Sequence, residues 1–105
     1  MGTSKNSEIV LLLKSLANDI RVDILRYLAS GEKCVCHIFE HLGLPQNLVS
    51  HHLSLLRKSG FIRARKDGKW VHYSLNPKEF RKLKAFFDTF VSKKVMESCC
   101  VREKK

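Results

Sequence analysis

Two patterns meet in LPQNLVSHHLSLLRKSGFIRARKDGKWVHYSL, residues 44–75. From Pro45 to Ser59, apolar residues recur at three- to four-residue intervals, the period of one buried helix face. These residues are Leu48, Val49, Leu53 and Leu56. Gly60 predicts the end of the helix, because glycine adopts a left-handed conformation at little cost. The opposite face is polar and suited to base edges: Gln46, Asn47, Ser50, His51, Ser54 and Arg57.

A β-hairpin is predicted directly after this helix. Residues 61–66 and 69–75 alternate inward and outward around Asp67-Gly68, which predicts a type I′ turn. Asp67 is the single acid beside the basic residues Arg57, Lys58, Arg63, Arg65, Lys66 and Lys69. A helix followed by a basic hairpin, or wing, predicts a mainly α, winged helix-turn-helix domain. In that fold the helix contacts bases, and Arg63, Arg65, Lys66 and Lys69 contact phosphates.

Composition limits the classes of function. A chain of 105 residues makes one small domain, and its formal net charge of +10 favours a polyanionic partner, here double-stranded DNA. No apolar run approaches the ~18 residues that span a bilayer, so we expect no membrane partner and a cytoplasmic location. We also expect no enzyme, substrate or organic cofactor, because no phosphate-binding glycine loop, Cys-x-x-Cys pair or nucleophile constellation is present.

The remaining segments are predicted to be helical. The expected boundaries are a flexible start at 1–6, three helices within 7–43, a recognition helix at 45–59, a wing at 61–75, a long helix at 77–98 and a cysteine-containing tail at 99–105. Ser7 is the predicted cap of the first helix, Asn18 or Asp19 caps the second, and the third runs from Cys34 to Leu42. We expect Arg21 to be paired internally rather than on phosphate, His52 to be packed and His51 to be exposed.

The first and last helices carry more apolar area than one small core needs. Exposed patches of that size usually mark partners, so we predict a homodimer through these helices. The alternative is that the same residues only fill the core. The predicted contacts are Ile9, Leu12, Leu13, Leu83, Phe86, Phe87, Phe90 and Val91.

Four cysteines occur as two close pairs, Cys34 with Cys36 and Cys99 with Cys100. Residues i and i+2 point to opposite sides of an ideal helix, so Cys34 and Cys36 can share an ion only where the third helix starts non-helically. Thiolates select soft ions, which predicts As(III) or Sb(III), with Cd(II), Pb(II) and Hg(II) as competitors. A third donor is expected from Cys99 or Cys100, or less favourably from His37. The alternative is that the tail pair binds nothing.

The chain resembles the ArsR/SmtB metalloregulatory repressors over about Ile9 to Val95. The likeness is carried by Ser50-x-His52-Leu53-x-x-Leu56-x-x-x-Gly60-Phe61-Ile62 and by Arg65-x-Asp67-Gly68-Lys69-Trp70-Val71-x-Tyr73-Ser74-Leu75. Upstream, residues 16–25 resemble the family's second helix, and Lys33-Cys34-Val35-Cys36-His37-Ile38 resembles its metal-binding helix. The resemblance implies a homodimeric repressor that leaves its operator when a metal binds.

The resemblance also marks two departures. Arsenic-responsive members often place a third cysteine where this chain has Phe39. Zinc-sensing members place Asp and His ligands on the last helix, whereas residues 76–95 contain no histidine. The resemblance therefore predicts a thiol site and no zinc site on that helix.

Two other functions remain open. One keeps the DNA-binding fold but makes the thiols a redox or persulfide switch; relatives of that kind carry their cysteines at positions equivalent to Arg26 and about Ser92. The other is a non-catalytic module that contacts protein or RNA instead of operator DNA.

Overall fold

Five helices and three short strands make up the part of the chain that the computed structural model describes, residues 4–91, with side chains from Asn6 onward. The helices are α1 (Ser4–Leu16), α2 (Asp19–Leu28), α3 (Val35–Leu42), α4 (Gln46–Lys58) and α5 (Pro77–Asp88), and the strands are β1 (Lys33–Cys34), β2 (Ile62–Asp67) and β3 (Trp70–Leu75). The predicted winged helix-turn-helix fold is confirmed: α3 and α4 form the helix-turn-helix, and β2 with β3 forms the wing.

The core takes buried side chains from all five helices and from β2. Asn18 caps α2, its Oδ1 accepting from the backbone N–H of Ile20 and of Arg21, because the first turn of a helix has no internal acceptors for these groups. Gly43, in the left-handed conformation, ends α3 and turns the chain toward α4. The buried side chains include Ile24, Leu28, Ile38, Val49, Leu53, Leu56 and Phe61.

The recognition helix α4 differs in two details from the prediction. Pro45 is its N-cap rather than its first helical residue, and Leu48 is 37% exposed rather than part of the buried stripe. Leu48 lies in the first turn, next to the exposed Asn47, whereas Val49, one residue further round the helix, is fully buried. Gly60 has φ +88°, so the predicted left-handed stop is confirmed.

The sheet has a third strand that the pattern did not predict. Its order is β1-β3-β2, all antiparallel, and Cys34 of β1 pairs with His72 of β3. A strand of two residues, Lys33 and Cys34, is too short to show the alternation that identifies strands in a sequence. The turn is also shifted: Asp67 pairs with Trp70, which leaves Gly68 and Lys69 as the loop.

The type I′ prediction for this turn was wrong. Type I′ needs positive φ at both central residues, but within the described residues only glycines have positive φ, and Gly68 is the one in this turn. Positive φ at the first central position alone is the pattern of type II′, which also requires glycine there.

The predicted ends of the outer helices also need correction. α1 begins at Ser4, so Ser7 lies inside the helix rather than at its cap, and the helix includes residues 4–6 of the segment predicted as the start. α5 ends at Asp88 rather than near residue 98. There the backbone N–H groups of Thr89 and Phe90 bond three residues back, and the Thr89 hydroxyl donates to the carbonyl oxygen of Phe86. The predicted helical residues 92–98 and the tail at 99–105 lie outside the described residues.

Within residues 4–91, the structure has no helix with both the length and the apolar character needed to cross a membrane.

Candidate nucleic-acid interface and thiol pair

The exposed surface of α4 is polar except for Leu48 in its first turn. Every base-contacting candidate on this helix is exposed to solvent: Gln46, Asn47, Ser50, His51, Ser54 and Arg57. Amide, hydroxyl and imidazole groups can donate to and accept from the base edges of a major groove. The structure therefore brings the six predicted side chains onto one accessible helix face.

The buried side of α4 is fastened to α2 by a polar contact. His52 is buried, and its Nδ1 accepts a hydrogen bond from Nε of Arg21 at 3.2 Å. Arg21 also donates from Nη1 to the carbonyl oxygen of Ser15. Arg21 is thus occupied in the interior, and the expectations of a packed His52 and an exposed His51 are confirmed.

The wing presents its predicted phosphate contacts to solvent. Arg63, Arg65, Lys66 and Lys69 are all exposed, and Arg63 also donates to Oδ1 of Asn76. Trp70 is half exposed beside Lys69 at the tip of the wing. It was not among the DNA contacts predicted from the sequence. An aromatic ring among basic side chains suits the sugar and base surfaces of nucleic acid.

Arg65 has a partner that the sequence did not reveal. Its Nε donates to Oε2 of Glu32 at 3.1 Å and its Nη2 donates to Oε1 at 2.8 Å, a bidentate pair. The hydrogen bond to Arg65 lowers the pKa of the Glu32 carboxyl, so the pair is charged at neutral pH. Asp67 is therefore not the only acid on the wing surface.

Cys34 and Cys36 come together at the junction of β1 and α3. Their Sγ atoms are 3.0 Å apart, and both thiols are free. Cys34 has extended backbone angles, φ −70° and ψ 145°, and is the N-cap of α3, whereas Cys36 is already helical. The non-helical start that a shared ion requires is thus present.

The two thiols differ in acidity. The pKa of Cys34 is lowered, first by the side-chain hydrogen bond with Cys36 and then by the backbone N–H of Cys36, with smaller contributions from the N–H groups of His37 and Val35. The pKa of Cys36 is raised, first by the same bond to Cys34 and then by burial. Cys34 is therefore the first to become a thiolate, held by the Cys36 S–H and by the start of α3. Thiolates are the metal-binding and nucleophilic forms.

The thiol pair shares a sheet face with the wing. Cys34 lies opposite His72, and His72 lies opposite Arg65. Directly paired residues in antiparallel strands project from the same side of the sheet. Cys34, His72 and Arg65 thus form one row across the three strands.

Residues 18–64 match the model of the family described as bacterial regulatory protein, arsR family. The chain is 38% identical over 78 residues to the transcriptional activator HlyU of Vibrio cholerae, covering 73% of this chain and 72% of HlyU. A solved structure of HlyU from that organism has a TM-score of 0.69, with 31% identity over 84% of this chain and 97% of that chain.

The chain belongs to the ArsR family. Members of this family are transcriptional regulators rather than enzymes. Its similarity to the arsenical resistance operon repressor of Escherichia coli is 46% identity over 69 residues, 65% of this chain but only 59% of that protein. It is also 38% identical to a homologue of the cadmium resistance regulator CadC of Staphylococcus aureus, over 75% of this chain and 68% of that protein. The names of these relatives include a repressor and an activator.

The described part of this ArsR-family chain supplies two thiols and no third donor. Within residues 4–91, no three His, Cys, Asp or Glu side chains are close enough to hold a metal ion. His37 is exposed and Phe39 is half-buried against the core. Cys99 and Cys100 lie outside the described residues. Cys36 lines an open cavity of about 460 Å³ whose wall includes Phe39 and Gln46, the first residue of α4.

The apolar residues of α1 and α5 divide into two groups. Leu12 and Leu83, predicted to be dimer contacts, are only 6% and 4% exposed and belong to the core of the chain itself, and Ile9 and Leu13 pack against that core. Phe86 is half-buried, with its ring against those of Phe87 and Phe90. The exposed group consists of Val10 and Leu11 of α1, Phe87 of α5, and Phe90 and Val91 just after the end of α5. Val10 and Leu11 were not among the predicted contacts.

Proposed function

We propose that this chain is a homodimeric, cytoplasmic transcriptional repressor that leaves its operator when Cys34 and Cys36 capture a thiophilic metal ion or metalloid, As(III) first. The observation that carries the proposal is the 3.0 Å contact between the two Sγ atoms at the start of the helix that supports α4. Family membership and the names of the arsenic- and cadmium-resistance relatives support it.

Operator binding is supported by the different side chains that α4 and the wing expose. Exposed amide, hydroxyl and imidazole groups on α4 suit base contacts, and the arginines and lysines of the wing suit phosphates. In a two-fold dimer the two α4 helices would enter successive major grooves about one DNA turn apart. An Arg65→Ala variant should then weaken binding to all sequences alike, whereas Gln46→Ala should change sequence preference.

Soft-ion capture is supported by the chemistry of the thiol pair. With the metal–sulfur distance of about 2.3 Å and the tetrahedral angle known for zinc, two sulfurs on one ion lie about 3.8 Å apart, which gives a scale for the opening that capture needs. Capture therefore requires a displacement below about 1 Å from the present 3.0 Å separation. This displacement falls on β1 and on the start of α3, the two elements that join the thiols to the wing and to α4.

As(III) prefers three sulfurs, and the described residues supply two. We propose that Cys99 or Cys100, from the same chain or its partner, completes the site, with His37 as the weaker candidate. Cd(II), Pb(II) and Sb(III) are the competing effectors because they share the preference for thiolates.

The homodimer is proposed from exposed apolar residues on α1 and directly after α5. Leu11, Phe90 and Val91 are 64%, 57% and 59% exposed, and two of the three are neighbours in sequence. Large apolar side chains exposed on a charged small domain usually meet a partner, and two-fold symmetry would place the same face on both chains.

The decisive experiment follows the fluorescence anisotropy of a labelled duplex from the chain's own promoter, bound by reduced protein. Titration with As(III), Sb(III), Cd(II), Pb(II) and Zn(II) should release the DNA at near-stoichiometric amounts of one soft ion. A Cys34→Ser, Cys36→Ser variant should stay bound, and a Cys99→Ser, Cys100→Ser variant tests the third donor. Absence of saturable, salt-sensitive DNA binding would instead favour a protein- or RNA-binding module.

A thiol redox switch is the second candidate, favoured by the same short distance and by the lowered pKa of Cys34. Oxidation of the two thiols would form an S–S bond and transfer two electrons to an oxidant such as a peroxide, which is reduced to water or an alcohol. Tight binding that no ion reverses, but that peroxide abolishes, would support it. Arg26 stands where the resemblance places a switching cysteine of such relatives, which favours the metal-responsive mechanism.

A further inference from the structure

One edge of the Arg65 guanidinium group donates to Glu32, and the other edge is available to a further acceptor. Nε and Nη2 donate to the two carboxylate oxygens of Glu32. Among the described residues, Nη1 has no hydrogen-bond partner, so that edge remains able to donate to a phosphate oxygen. A guanidinium group has enough donors to serve a carboxylate and a phosphate together.

The pair does little for the stability of the fold. The side chains of Arg65 and Glu32 are 56% and 37% exposed, and ion pairs in that setting contribute little to folding. Their bidentate geometry instead fixes a long side chain that otherwise loses much rotamer freedom when it binds. A side chain already ordered before binding gives a higher affinity than a mobile one.

The position of Glu32 connects its ion pair with Arg65 to the thiols. Glu32 precedes β1 directly and lies two residues before Cys34. Cys34 pairs with His72, and His72 pairs with Arg65. Cys34 is therefore connected to Arg65 in two ways, through the paired strands and through the ion pair between Glu32 and Arg65. A displacement of β1 at Cys34 thus changes the position of the Glu32 carboxylate relative to the wing.

We propose that Glu32 is a positioning residue for DNA binding: it holds Arg65 ready for a backbone phosphate, and through β1 it transmits occupancy of the thiol pair to the wing. The inference rests on the proposed function for both the DNA contact and the effector. Capture of an ion would then weaken DNA binding in two ways. It would disturb α4 through α3, and it would withdraw Arg65 from its phosphate through the sheet.

The first test needs no effector. The affinity of reduced protein for the promoter duplex is measured over a series of salt concentrations for the wild type, Glu32→Ala, Arg65→Ala and the double variant. Glu32→Ala should lower the affinity several-fold and make it less dependent on salt. Arg65→Ala should act in the same direction. For that variant the slope of log affinity against log salt concentration should fall by about 0.9 for each phosphate that the protein no longer neutralises. In the Arg65→Ala background, removing Glu32 should lower the affinity no further.

The control is Asp67→Ala, which removes another exposed acid from the same sheet face. Loss of an acid near DNA normally raises affinity, so Asp67→Ala should bind slightly tighter. If Glu32→Ala also bound tighter, Glu32 would be a repelling charge and the positioning role would be overturned. Circular dichroism and urea unfolding confirm that the variants remain folded.

The second test uses arsenite as the probe. Binding is followed by the ultraviolet absorbance of arsenic–thiolate bonds, and release is followed by anisotropy. In Glu32→Ala, arsenite should still bind, but its fold-effect on DNA affinity should be smaller than in the wild type. An unchanged fold-effect would overturn transmission through Glu32. If arsenite and the other soft ions left wild-type binding unchanged, the proposed effector function would fail, while the first test would still decide the positioning role.

Discussion

Arg21 joins α2 to the recognition helix through His52, and the contact requires an imidazole without a proton on Nδ1. Nε of Arg21 donates to that nitrogen at 3.2 Å, and a protonated Nδ1 cannot accept. The pKa of His52 is lowered, first by burial and then by the positive charge of Arg21 and by His51. The placement of α4 is therefore sensitive to acid.

This relationship predicts a loss of stability on acidification. A histidine with a lowered pKa in the folded state is protonated first in the unfolded state, so the free energy of unfolding falls as pH drops below the ordinary value of about 6.5. His52→Asn keeps an acceptor near the Nδ1 position and does not titrate. Urea unfolding at pH 7.5 and 5.5 should show a smaller pH effect in His52→Asn than in the wild type. The exposed neighbour is the control: His51→Asn should retain most of the wild-type pH effect, because His51 is the last of the three causes that lower the His52 pKa. Equal pH effects in all three proteins would remove His52 as the cause.

A second prediction concerns the acidity of Cys34. Its pKa is lowered mainly by the hydrogen bond with Cys36, so removing that donor should make the thiolate form only at higher pH. In a Cys99→Ser, Cys100→Ser background, thiolate absorbance is measured against pH for Cys36→Ala and Cys36→Ser. The alanine variant should titrate at higher pH than the serine variant, whose hydroxyl still donates. Identical curves would show that the start of α3, rather than Cys36, sets the acidity.

The helix-turn-helix and wing were predictable because their signals are local. The apolar period of α4, the Gly60 stop and the basic alternation around the turn all lie within residues 44–75. The turn type was missed because Asp67-Gly68 and Gly68-Lys69 both place glycine where positive φ is needed, and the strand register decides between them. A slip of one residue is a register property, which depends on the packing of the whole strand.

The parts that the sequence did not reveal depend on contacts between distant residues. Glu32 and Arg65 are far apart in the chain and meet only because β1 joins the sheet. Likewise, the division of α1 and α5 into core and exposed residues depends on the angle at which the helices pack. For Cys34 and Cys36, helix geometry alone indicated that a shared ion needs a non-helical start of the third helix. The structure has that extended start at Cys34.

The third prediction contrasts two glycines with positive φ. A Cβ on Gly60 would lie 2.8 Å from Cγ of Glu79, whereas a Cβ on Gly43 would have nothing within 4 Å. Gly43→Ala should cost only the left-handed strain of about 1 to 2 kcal/mol. Gly60→Ala should cost more, because Glu79 must also move away from Lys82, 3.1 Å from its Oε1.

The measurement is the free energy of unfolding in urea. Glu79→Ala should narrow the difference between Gly60→Ala and Gly43→Ala, since it removes the group that the new methyl would meet. A difference that persists in the Glu79→Ala background would place the cost in the backbone of the helix end rather than in the contact with Glu79.

The last prediction separates folding from association at α5 and the residues that directly follow it. Leu83 is 4% exposed and belongs to the core, so Leu83→Ala should lower the free energy of unfolding by about 2 to 5 kcal/mol. Phe90 is 57% exposed, so Phe90→Asp should leave the fold intact but place a charge on the proposed dimer face. Sedimentation should then show a larger monomer fraction, together with weaker operator binding, because one chain cannot hold both half-sites. Trp70→Asp is the control for a charge at a similarly exposed aromatic residue on the wing, and it should leave the dimer unchanged. If Phe90→Asp sedimented as the wild type does, the interface would lie elsewhere on the chain.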